Sequence, residues 1–504
     1  MNNFESLTYF DEPELRFGFD QTLDDPRYGL LAFGPLDERR PSGIRIGVVG
    51  TPSSIGVFRS WAARVAGHIF PERTDAGHHV AFPGFEVAFR TPWTEPVVEI
   101  PISQSILSSL LRSSDRHLAI YDTVSLFETP IRRRLVDDDM RVDVWFVVIP
   151  EEVYVLGRPL SRVPRADQVT VTSKMNAKLA RRLQREPSLF AEDMKAAEVY
   201  KYEVNFHHQL KARLLGTGAV VQVVRESTIS IVGLDSLSGT RRRRQVDATI
   251  AWNLCTATYF KAGGRPWKLA NVREGVCYVG IVFKRNDLSS EEGNACCGAQ
   301  MFLDSGDGLV FKGAMGPWYS TSTKEFHLPA SEATALVHRV VQSYVEEKGI
   351  APSELFIHGR SRFTAEEAAA FQLGAPDGTK VFCVCIKRSN DLKLFRPGST
   401  PILRGTAYKL NARRALIWTT GFVPFLGTYP GREVPNPLSV ELTQGECDIE
   451  RVLADVLRLT KLNFNACIYC DGLPVTLRFA DAVGEILTAA PLPNLSPLPF
   501  RHYI

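Results

Sequence analysis

The stretch 356-FIHGRSRFTAEEAAAF-371 reads as one strand that turns directly into a helix. Leu355–Ile357 is an apolar run that ends at His358, and Gly359–Ser361 makes the turn. Thr364–Glu367, with the sequence Thr-Ala-Glu-Glu, has the pattern of a capping box, in which the first hydroxyl and the last carboxylate each satisfy a main-chain N–H. A strand followed at once by a capped helix is the repeating unit of α/β folds.

The same alternation of apolar strands and amphipathic helices extends along most of the chain, which predicts an α/β protein with largely parallel sheets. Before residue 265, strands are predicted at Ile44–Gly50, Val142–Ile149 and Ala219–Val224, and helices after Gly50, over 189–215 and over Val246–Ala262. After it, strands are predicted at 276–283, 299–303, 308–313, 354–358, 380–388 and 415–420, and helices at 331–348, 448–461 and 477–489. The Gly-Gly-Arg-Pro turn at 263–266 is the predicted domain boundary.

Composition limits the class of protein. The chain has 504 residues, which is enough for two domains with large cores, and its net charge of +3 suits a nucleic-acid-binding protein without requiring one. No run reaches the roughly 18 apolar residues of a membrane-spanning helix, and the first residues lack the basic and apolar regions of a secretory signal. With an odd number of cysteines, these features predict a cytoplasmic protein without a membrane partner.

Cys467-Ile-Tyr-Cys470 has the spacing of half a zinc site. A second pair with suitable spacing is missing, because Cys296 and Cys297 are adjacent and Cys383 and Cys385 are separated by one residue. The pattern therefore favours buried thiols over a metal site.

Four polar residues of the first half form a candidate binding cluster. His207 and Lys211 are four residues apart and share one face of a helix. Gln222 follows in the next strand, and Lys261 ends the helix before the Gly-Gly turn. Two cations, an imidazole and an amide can hold a phosphate dianion through charge-assisted hydrogen bonds. Taken alone, the four residues also fit a satisfied core histidine, a buried amide and two solvated lysines.

The order of motifs along the chain favours the phosphate-binding interpretation over the structural one. "GLLAFGPLD" (29–37), "IRIGVVG" (44–50), "VDVWFVVIPEE" (142–152), the His-x-x-x-Lys pair, the later glutamine and "YFKAGGRPWKL" (259–269) occur in one series. That series resembles the MID domain of prokaryotic Argonaute proteins. The resemblance implies that His207, Lys211, Gln222 and Lys261 bind the 5′ phosphate of a guide strand. It also implies that the carboxylate of Ile504 reaches the pocket and holds Mg²⁺ beside the phosphate.

The second half resembles a PIWI domain, which has a ribonuclease H-like fold, most specifically at "DGLPVTLRFADAVGEIL" (471–487). The resemblance implies a Rossmann-like MID domain followed by that ribonuclease H-like domain. The predicted division is 1–265 for an N-terminal segment plus MID and 266–504 for PIWI. A chain of this length is similar to the short prokaryotic Argonautes, which keep MID and PIWI but lack the N and PAZ lobes.

The catalytic positions depart from the cutting members of that family. "YVGIVF" has Val282 where the first aspartate is expected, and Arg360 stands at the second position. Only Asp481, in "RFAD", remains, and one carboxylate of three cannot hold two Mg²⁺ ions. Asp304 and Asp307 are better explained as a hairpin turn, "DSGDG". The sequence therefore predicts no catalytic metal and no cleavage.

The leading hypothesis is a binding protein that carries a guide RNA and recognises complementary single-stranded DNA. The resemblance implies a partner with an APAZ region fused to a sirtuin-like domain or, slightly less favoured, a TIR domain. Target recognition would then switch on NAD⁺ consumption by the partner, as an abortive defence against invading DNA. The alternatives are a guided nuclease with an atypical metal site, a repressor that only occupies its target, and a structural subunit that no longer binds a guide.

Overall fold

The computed structural model describes residues 6–37, 43–71, 79–137, 141–170, 175–230, 247–285, 295–303, 308–319, 324–429, 431, 433–491 and 496–504. It has a mixed α/β fold, as the sequence predicts. The prediction of largely parallel sheets is right for the four-stranded sheet and wrong for the ten-stranded one, where most neighbouring strands are antiparallel. None of the helices in these ranges combines the length and the apolar character needed to cross a membrane.

The strands are β1 (Leu7–Tyr9), β2 (Leu15–Arg16), β3 (Thr22–Leu23), β4 (Ile46–Gly50), β5 (Val98–Pro101), β6 (Val144–Ile149), β7 (Val221–Arg225), β8 (Lys268–Leu269), β9 (Val276–Arg285), β10 (Ala295–Phe302), β11 (Gly308–Gly316), β12 (Glu354–Gly359), β13 (Lys380–Arg388), β14 (Thr406–Asn411), β15 (Arg414–Ile417), β16 (Leu438–Gln444) and β17 (Leu498–Pro499).

The helices are α1 (Pro26–Phe33), α2 (Pro52–Ala66), α3 (Phe85–Phe89), α4 (Gln104–Leu111), α5 (Arg116–Asp137), α6 (Glu151–Leu156), α7 (Ala177–Arg185), α8 (Ala191–Glu198), α9 (Phe206–Leu214), α10 (Glu226–Ile229), α11 (Asp247–Lys261), α12 (Ala330–Lys348), α13 (Ala365–Gly374), α14 (Ile449–Leu459), α15 (Val475–Arg478) and α16 (Ala480–Thr488).

The first sheet has four parallel strands in the order β5-β4-β6-β7. The central strands β4 and β6 are buried along their whole length, because helices cover both faces. One face packs in the core that contains Phe58 and Trp252, and the other in the core that contains Phe127 and Leu210. Continuous apolar runs such as 144-VWFVVI-149 are the expected sequence of parallel strands covered in this way.

The second sheet has ten strands in the order β1-β14-β15-β16-β13-β12-β9-β10-β11-β17. β9, β10 and β11 are antiparallel neighbours, and β12 and β13 are parallel to β9. Gly280 allows β9 to approach α15 closely, since a Cβ atom there would lie 1.9 Å from the main-chain oxygen of Thr476. This approach brings the β9 and β12 side chains of that face next to α15 and α16.

The strand-to-helix unit at 356–371 is present as predicted. The Thr364 hydroxyl accepts from the Glu367 N–H at 3.1 Å, and the Glu367 carboxylate accepts from the Thr364 N–H at 2.9 Å, so the capping box is complete. The helix start is therefore fixed, and Arg360 lies in the short turn that follows β12.

The chain's first strand pairs with the second sheet. β1 is the antiparallel neighbour of β14, with Thr8 opposite Ala407. Nearby, the Glu12 carboxylate accepts from Arg404 Nε at 2.8 Å and from Lys461 Nζ at 2.8 Å, both of which are buried. The domain boundary at residue 265 stays a prediction. The N-terminal segment contacts residues on both sides of that boundary.

One predicted helix is wrong. The sequence predicts a single helix over 189–215, whereas the structure has α8, a 3-10 turn over Val199–Lys201 and then α9. The helix restarts because the Asn205 side chain accepts from the N–H of His208 and caps the new first turn. Asparagine in an extended conformation is a strong helix start and competes with continuation of the preceding helix.

Candidate functional site

Helix α9 presents His207 and Lys211 one turn apart, near the end of the first sheet. Its start is set by the Asn205 cap, so the register that puts the two side chains on one face follows from the local sequence. Lys211 is buried, whereas His207 is exposed at the mouth of the cluster.

The last residues of the chain cover Lys211. β17 pairs with β11 of the second sheet, and a 3-10 turn over Phe500–His502 then directs the chain toward α9. Lys211 Nζ donates to the main-chain oxygen of Tyr503 at 3.1 Å and to that of Ile504 at 2.7 Å. Ile504 is itself buried. The structure thus brings together two predicted site residues that are 293 positions apart.

Lys261 forms the other half of the cluster. It is the last residue of α11, and its Nζ donates to Gln222 Oε1 at 2.6 Å and to the main-chain oxygen of Val221 at 3.1 Å. Gln222 is on β7, so this contact ties the helix end to the edge strand of the first sheet. All five predicted pocket residues therefore lie in one cluster, linked by these contacts and by the charges of both lysines acting on His207.

Both lysines are buried, and the carboxylate that contacts them in the described residues is that of Ile504, which accepts from Lys211. Across the described ranges, neither Lys211 nor Lys261 forms an ion pair with an aspartate or a glutamate. Burial lowers the pKa of Lys211 to about 7. Burial, followed by the charge of Lys211, lowers the pKa of Lys261 well below its usual value. Desolvation by the surrounding chain and then the charge of Lys211 likewise lower the pKa of His207, although that residue is exposed.

Hydrogen-bond counting shows what the cluster can still bind. An ammonium group has three N–H donors. When protonated, Lys211 and Lys261 each use two of them on oxygens of the described residues, which leaves one donor on each lysine for a ligand. An anion with several acceptor oxygens would use both donors and supply the missing negative charge.

The cluster by itself does not provide a magnesium site. The oxygens of Ile504 and Gln222 are suitable ligands for Mg²⁺, but each already accepts a hydrogen bond from a lysine. In the part of the chain that the structure describes, no group of three or more His, Cys, Asp or Glu side chains could hold a metal ion. Cys467 is a buried free thiol and Cys470 a partly exposed one within that part.

The three catalytic positions considered in the sequence lie on the same face of the second sheet. Arg360 Nη1 donates to both carboxylate oxygens of Asp481, at 2.8 and 3.0 Å, and both residues are exposed. Val282 is buried under α16, where a Cβ atom at Gly484 would lie 3.3 Å from its Cγ1. Asp304 and Asp307 lie outside the described residues.

Sequence reasoning missed several contributors to these sites. Tyr503 supplies a main-chain oxygen to Lys211, and His502 lies 3.3 Å from the main-chain oxygen of Ala219, so the tail reaches the cluster through three successive residues. On the second sheet, buried His358 contacts the Thr476 hydroxyl at 2.9 Å, and burial lowers its pKa to about 3. A histidine within an apolar tail was the available signal for His502.

Comparisons with known proteins bear on the fold of the chain. No protein-family model matches the chain. The protein argonaute of Aquifex aeolicus (strain VF5) is 24% identical over 238 residues, which are 47% of this chain and 31% of that protein.

Among solved structures, Clostridium butyricum Argonaute bound to a guide DNA and a 19-mer target DNA has a TM-score of 0.59 and 14% identity, covering 97% of this chain and 54% of the other. A. aeolicus Argonaute with externally bound siRNA has a TM-score of 0.54 and 14% identity, covering 99% and 56%. The chain is thus Argonaute-like in sequence over part of its length and in fold over nearly all of it. It spans about a third of the curated relative and about half of the solved chains.

The lowered pKa of Lys211 predicts a pH-dependent preference for 5′-phosphorylated oligonucleotides. A phosphate monoester becomes a dianion above about pH 6, and a bound dianion raises the lysine pKa. Because free Lys211 loses its proton near pH 7, binding above that pH must take up a proton. The ratio of dissociation constants for 5′-hydroxyl and 5′-phosphate strands should therefore fall between pH 7 and 9.

Fluorescence anisotropy with both strands measures this ratio. Lys211→Arg, whose charge persists across this range, should flatten the fall. Lys201→Arg, at a surface lysine paired with Glu198, should leave it unchanged. A ratio that is constant from pH 7 to 9 in the unaltered protein would contradict the assignment of Lys211 to 5′-phosphate binding.

Proposed function

We propose that this chain carries a guide strand, holds its 5′ phosphate in the Lys211–Lys261 cluster, and binds complementary nucleic acid without cutting it. The single observation that carries the proposal is the pair of buried lysines, each with one N–H donor left for a ligand when protonated, with no aspartate or glutamate partner in the described residues and only the Ile504 carboxylate to balance them. In this proposal the first domain is a MID domain and the second a PIWI domain.

The chemistry of the cluster favours a terminal phosphate over an internal one. A terminal phosphate monoester carries close to two charges at neutral pH and three free oxygens, whereas an internal phosphodiester carries one charge. Two lysine donors, the Gln222 amide and the exposed His207 ring together match the larger charge and the larger number of acceptors. Watson–Crick pairing would then read the target sequence, while the protein holds the backbone.

Magnesium fits this proposal only as a co-ligand of the guide phosphate. The chain supplies the oxygens of Ile504 and Gln222, and phosphate oxygens would supply the ligands that the protein lacks. A bound ion would screen the repulsion between the phosphate and the terminal carboxylate. Lys211 and Lys261 would still orient the phosphate through their remaining donors.

The nature of the two strands is inferred from the resemblance, and the relatives support only the binding of nucleic acid. One solved Argonaute of similar fold was bound to a guide DNA and a target DNA, and another carried siRNA. Those contents support a guide–target pair for this chain as well. We infer a guide RNA and a single-stranded DNA target, as in the short Argonautes that the motif order resembles.

Loss of cutting is inferred from the ion pair between Arg360 and Asp481. Two-metal cleavage needs several carboxylates that converge on ions about 4 Å apart. At these positions the chain offers one carboxylate, and a guanidinium already binds both of its oxygens. A cation at this place would be repelled by Arg360, and Val282 adds no ligand.

A partner chain is the part of the proposal that rests on resemblance alone. The chain spans about half the length of the solved Argonautes it matches, and a binding event without cleavage needs another activity to produce an output. We infer a partner with an APAZ region and a sirtuin-like or TIR domain that consumes NAD⁺ when the target is bound. Such a switch requires the bound duplex to favour the active state of the partner.

The first test concerns the phosphate pocket. Lys211→Ala or Lys261→Ala removes a charge-assisted contact, which is worth about 1.5–3 kcal/mol, and should weaken binding of a 5′-phosphorylated guide far more than that of a 5′-hydroxyl guide. The double variant should lose nearly all discrimination between the two ends. Lys201→Ala is the matched control. A double variant that still prefers the phosphorylated guide would show that the pocket is elsewhere.

The second test concerns cleavage. The guide-loaded protein should leave a matched, labelled target intact in Mg²⁺ and in Mn²⁺, because Asp481 is paired with Arg360. Denaturing gel electrophoresis measures the products. Specific cleavage opposite the middle of the guide that disappears in Asp481→Ala would instead support the atypical nuclease.

The third test concerns the partner. The chain is co-expressed with the product of its neighbouring gene, and NAD⁺ is followed after addition of guide and complementary single-stranded DNA. We expect a stoichiometric complex whose NAD⁺ loss requires both strands. Target binding with constant NAD⁺ and no co-purifying partner would favour the repressor alternative.

A further inference from the structure

The connection between β13 and β14 exposes an aromatic ring among cations. Phe395 is 76% exposed, and its ring makes no aromatic contact in the described part of the chain. Lys393 and Arg396 flank it and are also exposed. Lys387 and Arg388, at the end of β13, precede it. We call Lys387, Arg388, Lys393, Phe395 and Arg396 the basic aromatic segment.

Strand direction places this segment at the same sheet edge as the Arg360–Asp481 pair. β12 and β13 are parallel neighbours, with Gly359 opposite Cys385. Arg360 leaves β12 at the edge where Lys387 and Arg388 leave β13. The connection then crosses the strand ends to β14, whose first residues hydrogen-bond to Trp418.

The charge of the segment is largely uncompensated. Lys387 is 3.6 Å from Glu325, which is its ion-pair partner. Within the described ranges Arg388, Lys393 and Arg396 have no carboxylate within ion-pair distance. Asp391 is the acidic residue between Arg388 and Lys393, so three of the four cations stay without an ion-pair partner in the described ranges.

This combination distinguishes nucleic acid from protein as the occupant. Cores of protein interfaces are depleted in lysine and charged residues. Surfaces that bind unpaired strands combine cations along the backbone path with aromatic rings on which bases stack. Phe70 is equally exposed at 76%, but its ring contacts His68 at 4.2 Å. Phe70 therefore serves as the control position, an equally exposed phenylalanine outside the basic aromatic segment.

We propose that the basic aromatic segment binds single-stranded nucleic acid next to the guide–target duplex, with a base stacked on Phe395 and phosphates on Lys393 and Arg396. The inference rests on the proposed function for the presence of the duplex. It adds a contact to the unpaired part of the target, beyond the stretch that pairs with the guide.

The experiment compares two targets for the guide-loaded protein: one that ends with the paired region, and one with an unpaired extension of about ten nucleotides, tested at either end. Extension should raise the affinity of the unaltered protein roughly five-fold or more. Phe395→Ala should lose that gain, whereas Phe70→Ala should keep it. In Lys393→Gln/Arg396→Gln, the slope of log affinity against log salt for the extended target should become less negative by about 1.4.

A strand that contains 2-aminopurine gives a second readout without a guide. Stacking on Phe395 should quench its fluorescence in the unaltered protein and in Phe70→Ala, but not in Phe395→Ala. An equal extension gain in the two phenylalanine variants, or no quenching by the unaltered protein, would overturn the inference. Failure to capture the fully paired target would instead count against the proposed guide function, because that target does not reach the segment.

Discussion

The burial of two lysines where the two sheets meet is the constraint on which the candidate site depends. Lys211 reaches the carboxylate of Ile504 and Lys261 reaches β7, so within the described residues no aspartate or glutamate balances the two ammonium groups. Removing such charges from water is costly unless they are paired. Their lowered pKa values express that cost, and an anion that enters the cluster offsets it by supplying the missing charge.

The two polar sites of the molecule differ in this respect. In the lysine cluster, positive charge is in excess, which favours binding of an anionic ligand. At the edge of the second sheet, Arg360 and Asp481 neutralise each other at 2.8 Å, in an exposed position where an ion pair contributes little stability. The basic aromatic segment lies at the same end of β12 and β13 and adds the positive charge that this neutral pair does not supply.

Sequence patterns predicted most elements that depend on neighbouring residues and missed contacts between residues far apart in the chain. The capping box at Thr364 and the apolar strands depend on neighbouring residues, so they could be read directly. The break before α9 was missed because the amphipathic pattern runs through Asn205, while the cap contact that decides it is a competing local bond. Pairing of β1 with β14 joins residues about 400 positions apart, and no periodicity in either segment signals the partner. The lysine cluster was predicted from motif order, whereas its burial and hydrogen bonds required the fold.

The contacts of the tail link occupancy of the cluster to the joint between the sheets. Lys211 donates to Tyr503 and Ile504, and the same tail is anchored on the second sheet through β17. An anion that raises the pKa of Lys211 keeps this ammonium charged, and a charged donor makes stronger hydrogen bonds to the tail oxygens than a neutral amine. A ligand that binds only the folded arrangement also stabilises it by mass action. If the proposed guide phosphate binds there, Lys211 would link its binding at the first sheet to the hold of β17 on the chain end.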